Sequence, residues 1–404
     1  MTYLNAKKYI ISSPKQSTKN DFDVLLETLG NPHKRIKYIR LVGNNGKTLC
    51  AEMLTSTLLY AGYTVGCLKM PPREEPRENI CIGSECLSME QFTEYTQQIK
   101  CIVSESGITP SQSEILLAIA LLAFKEAKCN LCVIESDHDS QDPSKQLPAP
   151  FAAVICGTIP SNDTEQISKM RSYICKGIEE IVSVPQNSEA YKIISDTCYS
   201  INCRLTLPNK NAITPKKLSF RKTEFSYKGV DYALNLCGKF QIYNAVLVIE
   251  TLEMLSRKGF SITNDAINRG LSNLKIPAKF EIISLSPVII VDSTHTPTAI
   301  ETVCDSLADF KEQTGTSIRL CLPSGKIVTD YISVLESKGY TIESVCTIGT
   351  MELPSNYVLS VCSTEKALVK KALSELDKGG LLLFSGSHEF VVPIRRKLLE
   401  ILGF

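Results

Sequence analysis

The sequence predicts an α/β protein of two domains, each a mostly parallel sheet with helices on both faces. Three observations predict it. Strand-like and helix-like segments alternate through most of the 404 residues, and regular alternation places crossover helices over both faces of a parallel sheet. A second strand–helix series begins near Pro287, after a stretch with a different, period-two pattern. With 43% hydrophobic residues, the chain can fill two cores, whereas one core of this size would be unusual.

Residues 38–42 read as a short buried strand, 46–61 as the helix after it and 64–68 as the next strand. Ser88 with Gln91, and Ser111 with Glu114, have capping-box spacing and open two further helices. Residues 131–135 and 152–156 are strands. The pattern then changes: FSYKGVDYAL alternates in period two around Lys228-Gly229, which predicts a β-hairpin. A helix from about residue 241 to 257 ends before Gly259. SPVIIVDSTHTP is a strand running into a polar loop, and 317–322, 344–348 and 380–384 complete the second series. The domains are placed at 1–285 and 286–404.

Composition narrows the partners. A formal charge of +1, from 44 basic and 43 acidic residues, gives no global field for nucleic acid or anionic lipid. The start, MTYLNAKKYIISSPKQ, has no apolar leader core, and no apolar run reaches membrane-span length. The 16 cysteines are irregularly spaced and read as reduced, mostly buried thiols of a cytoplasmic protein. Cys129 and Cys132 have CxxC spacing, but no second CxxC completes a zinc site.

The densest chemical signal is Gly43-Asn44-Asn45-Gly46-Lys47-Thr48. It follows a predicted strand and opens a predicted helix, the setting a phosphate-binding loop needs. Its glycines let backbone N–H groups approach phosphate oxygens, and the helix N-terminus adds positive potential. Lys47 is placed to neutralise β- and γ-phosphates, and the Thr48 hydroxyl to ligate Mg²⁺. Counted from Gly43, the loop is two residues shorter than the general GxxxxGKS/T pattern. The plainer alternative is a glycine-rich turn with a surface lysine.

GNNGKT is similar to the GTNGKS/T loop of the Mur-type amide ligases, and the resemblance is closest to the folylpolyglutamate and dihydrofolate synthases. It continues in family order along nearly the whole chain. AGYTVGCLKMPPREEPRENICIGSECLSMEQF resembles the segment in which a strand leads to TSPHL and then ERI. TPSQSEILLAIALLAF resembles a helix carrying a phenylalanine–glutamate pair, with Glu114 at the glutamate. LCVIESD resembles the strand ending in EVG, so Glu135 falls on its magnesium-binding carboxylate. LCGKFQIYNAVLVIETL is similar to GxHQxxNA, a region beside the nucleotide. IPAKFEII resembles the PGRFE hinge, VIIVDSTHTPTAI the DGAHNP loop, and LLLFSGSHEFVVPIRRKLL the closing strand and helix.

The resemblance implies a P-loop-type central domain and a smaller, Rossmann-like C-terminal domain, with ATP and Mg²⁺ as cofactors. It implies an acyl-phosphate route to an amide between a folate- or folylpolyglutamate-like carboxylate and an amino acid, glutamate by family default. Gly43, Asn44, Asn45, Gly46, Lys47, Thr48, Gln241, Asn244 and Asp292 are assigned to the nucleotide. Thr48 and Glu135 are assigned to the metal, and Lys47, Arg171, Lys279 and His295 to catalysis. The expected partners are small-molecule substrates only, and the expected state is a monomer. Some assignments have plainer counterparts: Glu114, Gln241 and Asn244 as helix caps, and Asp292 with His295 as a turn hydrogen bond.

Several positions depart from the family pattern. Its metal-binding histidine lies in a GLDH segment that reads VICGTIPSND here; His138, with Asp137 and Asp139, lies earlier in ESDHDSQ. Arg171, in ISKMRSYI, stands where many members carry a carbamylated lysine. A guanidinium that is always protonated is not readily carbamylated but can hold a phosphate. Lys279 replaces the hinge arginine, Thr296 the asparagine of DGAHNP, and ESDHDSQDPSKQL the glycine-rich EVGLGGRLDATN. Two alternatives stay open: a nucleotide-binding relative without turnover, and a ligase for a non-folate carboxylate.

Overall fold

A computed structural model describes residues 1–404 except 18–19, 44, 137–141, 160–163, 221, 295, 377–379 and 404. The first series of strands is β1 (Tyr38–Gly43), β2 (Val65–Leu68), β3 (Ile80–Ile82), β4 (Glu85–Cys86), β5 (Leu131–Glu135), β6 (Ala152–Cys156), β7 (Glu180–Ser183) and β8 (Arg204–Thr206). They form one sheet in the order β4-β3-β2-β5-β1-β6-β7-β8. From β2 to β8 every neighbouring pair is parallel, and β3 and β4 extend the sheet as an antiparallel edge. The expected class is the one the chain adopts.

Burial explains the regularity. β1, β5 and β6 are buried along nearly their whole length, as a parallel strand covered on both faces must be. Both predicted capping boxes form. The helix opened by Ser111, Gln112–Glu126, is buried from Glu114 through Leu121. It is apolar almost all round, which suits a helix enclosed by its neighbours.

The second series begins with a three-stranded antiparallel sheet of β9 (Ile213–Leu218), β10 (Thr223–Tyr227) and β11 (Val230–Leu234). Lys228 and Gly229 have φ of 50° and 79°, the two positive values of a type I′ turn, and Tyr227 faces Val230 across it. The third strand, β9, was not visible in the sequence: ITPKKL is exposed over most of its length and carries no alternating apolar face.

The C-terminal sheet holds β12 (Glu281–Leu285), β13 (Val288–Asp292), β14 (Ser317–Pro323), β15 (Thr341–Ile348), β16 (Leu359–Cys362) and β17 (Leu381–Ser385), in the order β12-β13-β17-β14-β15-β16. All but β12 run parallel. Ile290, Leu320, Leu381 and Leu383 enter one core, and Ile289, Val291, Leu382 and Phe384 the other. This is the two-residue period of a strand read on both faces.

The chain divides into two units, Met1–Asn211 with Tyr243–Leu271, and Ala212–Ile242 with Ser272–Phe404. This division differs from the boundary expected at residue 285. That point falls at the end of β12, which pairs with β13, so β12 belongs to the C-terminal sheet. The hairpin region joins the same unit through its core, where Phe220 stacks on Phe310 with ring centroids 4.3 Å apart. Among the described residues, no helix is long and apolar enough to cross a membrane.

Candidate active site

In the first unit, β1 lies between β5 and β6, and its carboxyl end is where an open α/β sheet presents ligands. The loop leaving it fits tightly. Gly43 has φ of 122°, and a Cβ there would come within 1.9 Å of the Cys156 carbonyl oxygen at the end of β6. Gly46 has φ of 82°, and its Cβ would meet the Asn244 Oδ1 at 3.0 Å. A Cβ on Gly157 would lie 3.0 Å from the Asn45 carbonyl oxygen. Only glycine gives both the left-handed backbone and the clearance here. The helix Lys47–Tyr60 starts directly after Gly46, so its first N–H groups rim the loop.

Lys47 is buried, 5% exposed, and its Nζ donates to the Ser136 carbonyl at 2.9 Å. Thr48 Oγ1 donates to Glu135 Oε2 at 3.2 Å. Glu135 is 1% exposed, and its Oε1 has no hydrogen-bond partner among the described residues. Burial raises its carboxyl above the ordinary value, opposed by the charges of Lys47, Arg73 and Lys69. An unpartnered, buried carboxylate oxygen is costly. A divalent cation bound there and to the Thr48 hydroxyl would satisfy it, so the donor set fits Mg²⁺ completed by phosphate oxygens and water.

Two cations here were not singled out in the sequence. Lys69 follows β2 and pairs with Glu52 on the loop's own helix. Arg73 donates its backbone N–H to Asn79 Oδ1 at 3.0 Å, and its charge acts on Glu135. The available signal was two basic residues within about five positions after a strand that neighbours β5.

The second unit holds Lys279 in an unusual turn. Ala278 and Phe280, on either side of it, have φ of 55° and 50°, a region costly for side chains with a Cβ. Three contacts fix the turn. Asp292 Oδ2 accepts from the Phe280 N–H at 2.7 Å. Glu281 Oε2 accepts from the Ala278 N–H at 2.8 Å, and Arg395 grips Glu281 with bonds of 2.5 and 2.6 Å. Ser293 N–H donates to the Ala278 carbonyl at 2.8 Å. Asp292 is 3% exposed; burial raises its carboxyl, with the Lys279 charge acting in the opposite direction.

The remaining assignments separate. Gln241 and Asn244 lie in the first turns of the helix Phe240–Arg257; Gln241 is fully buried, and Asn244 is the side chain beside Gly46. Arg171 is exposed in the last turn of the helix Thr164–Ser172. Glu114 serves as a cap: its Oε2 accepts from the Ser111 N–H at 2.7 Å and its Oε1 from Ser17 Oγ at 2.6 Å. Asn44, Asp137, His138, Asp139 and His295 lie outside the described residues. Among the described residues no cluster of three or more His, Cys, Asp or Glu could hold a metal, and Cys129 and Cys132 are free thiols.

No family model matches the chain. It is 24% identical over 406 residues to the dihydrofolate synthase/folylpolyglutamate synthase of Bacillus subtilis, covering 93% of each chain. It is 25% identical over 334 residues to a probable bifunctional folylpolyglutamate synthase/dihydropteroate synthase of Halobacterium salinarum, covering 77% of this chain but only 40% of that protein's length. A solved complex of folylpolyglutamate synthase with AMPPCP and folate shares the fold at a TM-score of 0.82, with 19% identity over 99% of this chain and 100% of that one.

Proposed function

The chain belongs to the folylpolyglutamate synthase and Mur ligase family, and we propose that it is an ATP-dependent ligase joining a carboxylate to an amino acid through an acyl phosphate. The observation that carries this is the phosphate loop closed against Glu135, whose buried Oε1 is left for a cation beside Thr48. ATP binds with its phosphates on the N–H groups from Gly43 to Thr48. The Lys47 ammonium, held at depth by the Ser136 carbonyl, neutralises charge on the transferring phosphoryl group. Mg²⁺ at Thr48 and Glu135 would supply further neutralisation of the phosphate oxygens.

The acceptor is a folate- or folylpolyglutamate-like carboxylate, and glutamate is the amino acid added. Asn244 is assigned to the nucleotide from its place beside Gly46. Asn44, Gln241, Lys279, Asp292 and His295 are assigned to the same reaction on the family resemblance. The protein acts as a cytoplasmic monomer, and a reducing compartment suits its free thiols.

The exposed position of Arg171 favours a second reading, a nucleotide-binding relative without turnover, because an exposed guanidinium is a weak substitute for a metal-bound carbamate. One assay separates the two. ADP release from Mg-ATP is followed with glutamate and either dihydropteroate or a reduced folate, beside Lys47→Ala. Release that needs both substrates, and falls at least about a hundredfold in the variant, supports the ligase. ATP binding without release over a broad acceptor panel supports the second reading. Release with a different carboxylate class alone moves the substrate away from folates.

A further inference from the structure

The edge hairpin β3–β4 carries two thiols that the phosphate loop does not use. Cys81 and Cys86 face each other in register, across a two-residue turn at Gly83-Ser84. The Leu87 N–H donates to the Ile80 carbonyl at 3.0 Å, which makes the next pair inward, Cys81 with Cys86, a non-hydrogen-bonded pair. Such pairs bring their α-carbons to about 4.5 Å, within the span that a disulfide bridges. The two Sγ atoms are 2.7 Å apart.

Their surroundings are unequal. Cys81 is buried and Cys86 half-buried. Cys86 lines a surface cleft of about 320 Å³ with Glu85, Gln91, Tyr95 and Glu126. One sulfur therefore meets a reagent in the cleft, and the other lies directly behind it. Lys69 Nζ stands 3.8 Å from Cys81 Sγ. The hydrogen bond from Cys81, with the Lys69 charge, holds the Cys86 thiol down to about 7, against burial and the charges of Glu78 and Glu52. The same hydrogen bond and burial push Cys81 up.

Other close thiol pairs lack this combination. Cys50 with Cys156, Cys198 with Cys203, and Cys321 with Cys346 are buried at both members. No basic side chain among the described residues acts on Cys129 beside Cys132.

We propose that Cys86 is a thiol–disulfide exchange site with Cys81 as its resolving thiol, taking a low-molecular-weight disulfide of the glutathione class. The Cys86 thiolate attacks one sulfur of the external disulfide RSSR, forming Cys86–SR and releasing one RS⁻. Cys81 loses its proton to solvent, attacks Cys86 Sγ and expels the second RS⁻. The two cysteine thiols are oxidised to one disulfide, the external disulfide is reduced to two thiols, and the two protons given up reach the departing thiolates. Excess reduced thiol reverses both steps.

The test uses the whole protein in mixtures of oxidised and reduced glutathione, quenched by alkylation and mapped by mass spectrometry. The expected product is a Cys81–Cys86 disulfide, formed at a ratio that leaves Cys129, Cys198 and Cys321 reduced. Cys81→Ser, which cannot resolve the adduct, accumulates glutathione on Cys86 roughly tenfold over the parent. A second measurement needs no variant. At neutral pH, Cys86 of the parent is alkylated several-fold faster than the exposed Cys101, because the hydrogen bond from Cys81 and the Lys69 charge favour its thiolate. Labelling of Cys86 slower than Cys101, oxidation of another pair first, or a Cys81→Ser protein with no more adduct on Cys86 than on Cys101 would each overturn the proposal.

Discussion

The phosphate loop and the turn around Lys279 both hold backbone in the left-handed region, but by opposite means. At Gly43 and Gly46 the residue itself removes the steric conflict, and any Cβ would strike a neighbour. At Ala278 and Phe280 the Cβ is present and the conformation is costly, by roughly 1–2 kcal/mol per residue. There it is imposed from outside, by Asp292 on the Phe280 N–H and by Glu281, anchored on Arg395, on the Ala278 N–H. A motif built on its own glycines tolerates change in its partners but not in itself. A turn built on distant carboxylates has the reverse sensitivity. Strain held this way is common at functional sites, and here it positions the lysine assigned to catalysis.

The largest expected effect comes from breaking the first case. Gly43→Ala sets a Cβ against the backbone of Cys156, where neither side can yield, and should cost roughly 3 kcal/mol or more in urea unfolding, along with nucleotide binding. A well-folded Gly43→Ala protein that still binds ATP would show that the loop has slack. Next is Glu281→Ala, which frees Arg395 and the Ala278 N–H together. A loss of about 2–3 kcal/mol is expected, while Lys47-dependent ATP binding stays at parental affinity.

Ala278→Gly sharpens the contrast, because the same type of substitution that rescues strain in one place is already present in the other. Relief of the left-handed penalty less the entropy of an added glycine leaves a gain of roughly 0.5–1 kcal/mol. If the melting temperature falls instead, the turn is not strained. The smallest effect is a pH slope. Burial raises the Asp292 carboxyl, so the native state keeps a proton that the unfolded chain releases above about 3.9. Its contribution to stability therefore declines as pH rises through the window from that value to the higher folded one. Asp292→Asn keeps an acceptor for the Phe280 N–H and should flatten that part of a stability–pH profile; an unchanged slope would assign the titration to another group.

Legibility in the sequence followed the range of the forces involved. The parallel strands, both capping boxes and the Lys228-Gly229 turn depend on residues a few positions apart, and each appears where local pattern places it. Glu114 shows the limit of that reading: a cap and a substrate contact look the same in sequence, and here Ser111 holds one of its oxygens while Ser17, 97 positions away, holds the other. The strand β9 escaped because pairing with β10 rather than an apolar face holds it. Lys69 and Arg73 escaped because only the order of strands brings the segment after β2 next to the end of β5.

By itself the sequence determined the α/β class, the glycine-bounded turn from β1 into its helix and the hairpin, since glycine and alternating apolar residues act through their immediate neighbours. Tertiary structure alone decided that Glu135 is buried with one oxygen open beside Thr48, that β12 and the hairpin belong with the C-terminal sheet, that Arg171 is exposed, and that Ala278 and Phe280 are held in a left-handed turn. Each of these rests on burial or on a hydrogen bond between residues distant in the chain, and no local pattern encodes the partner that will be found there.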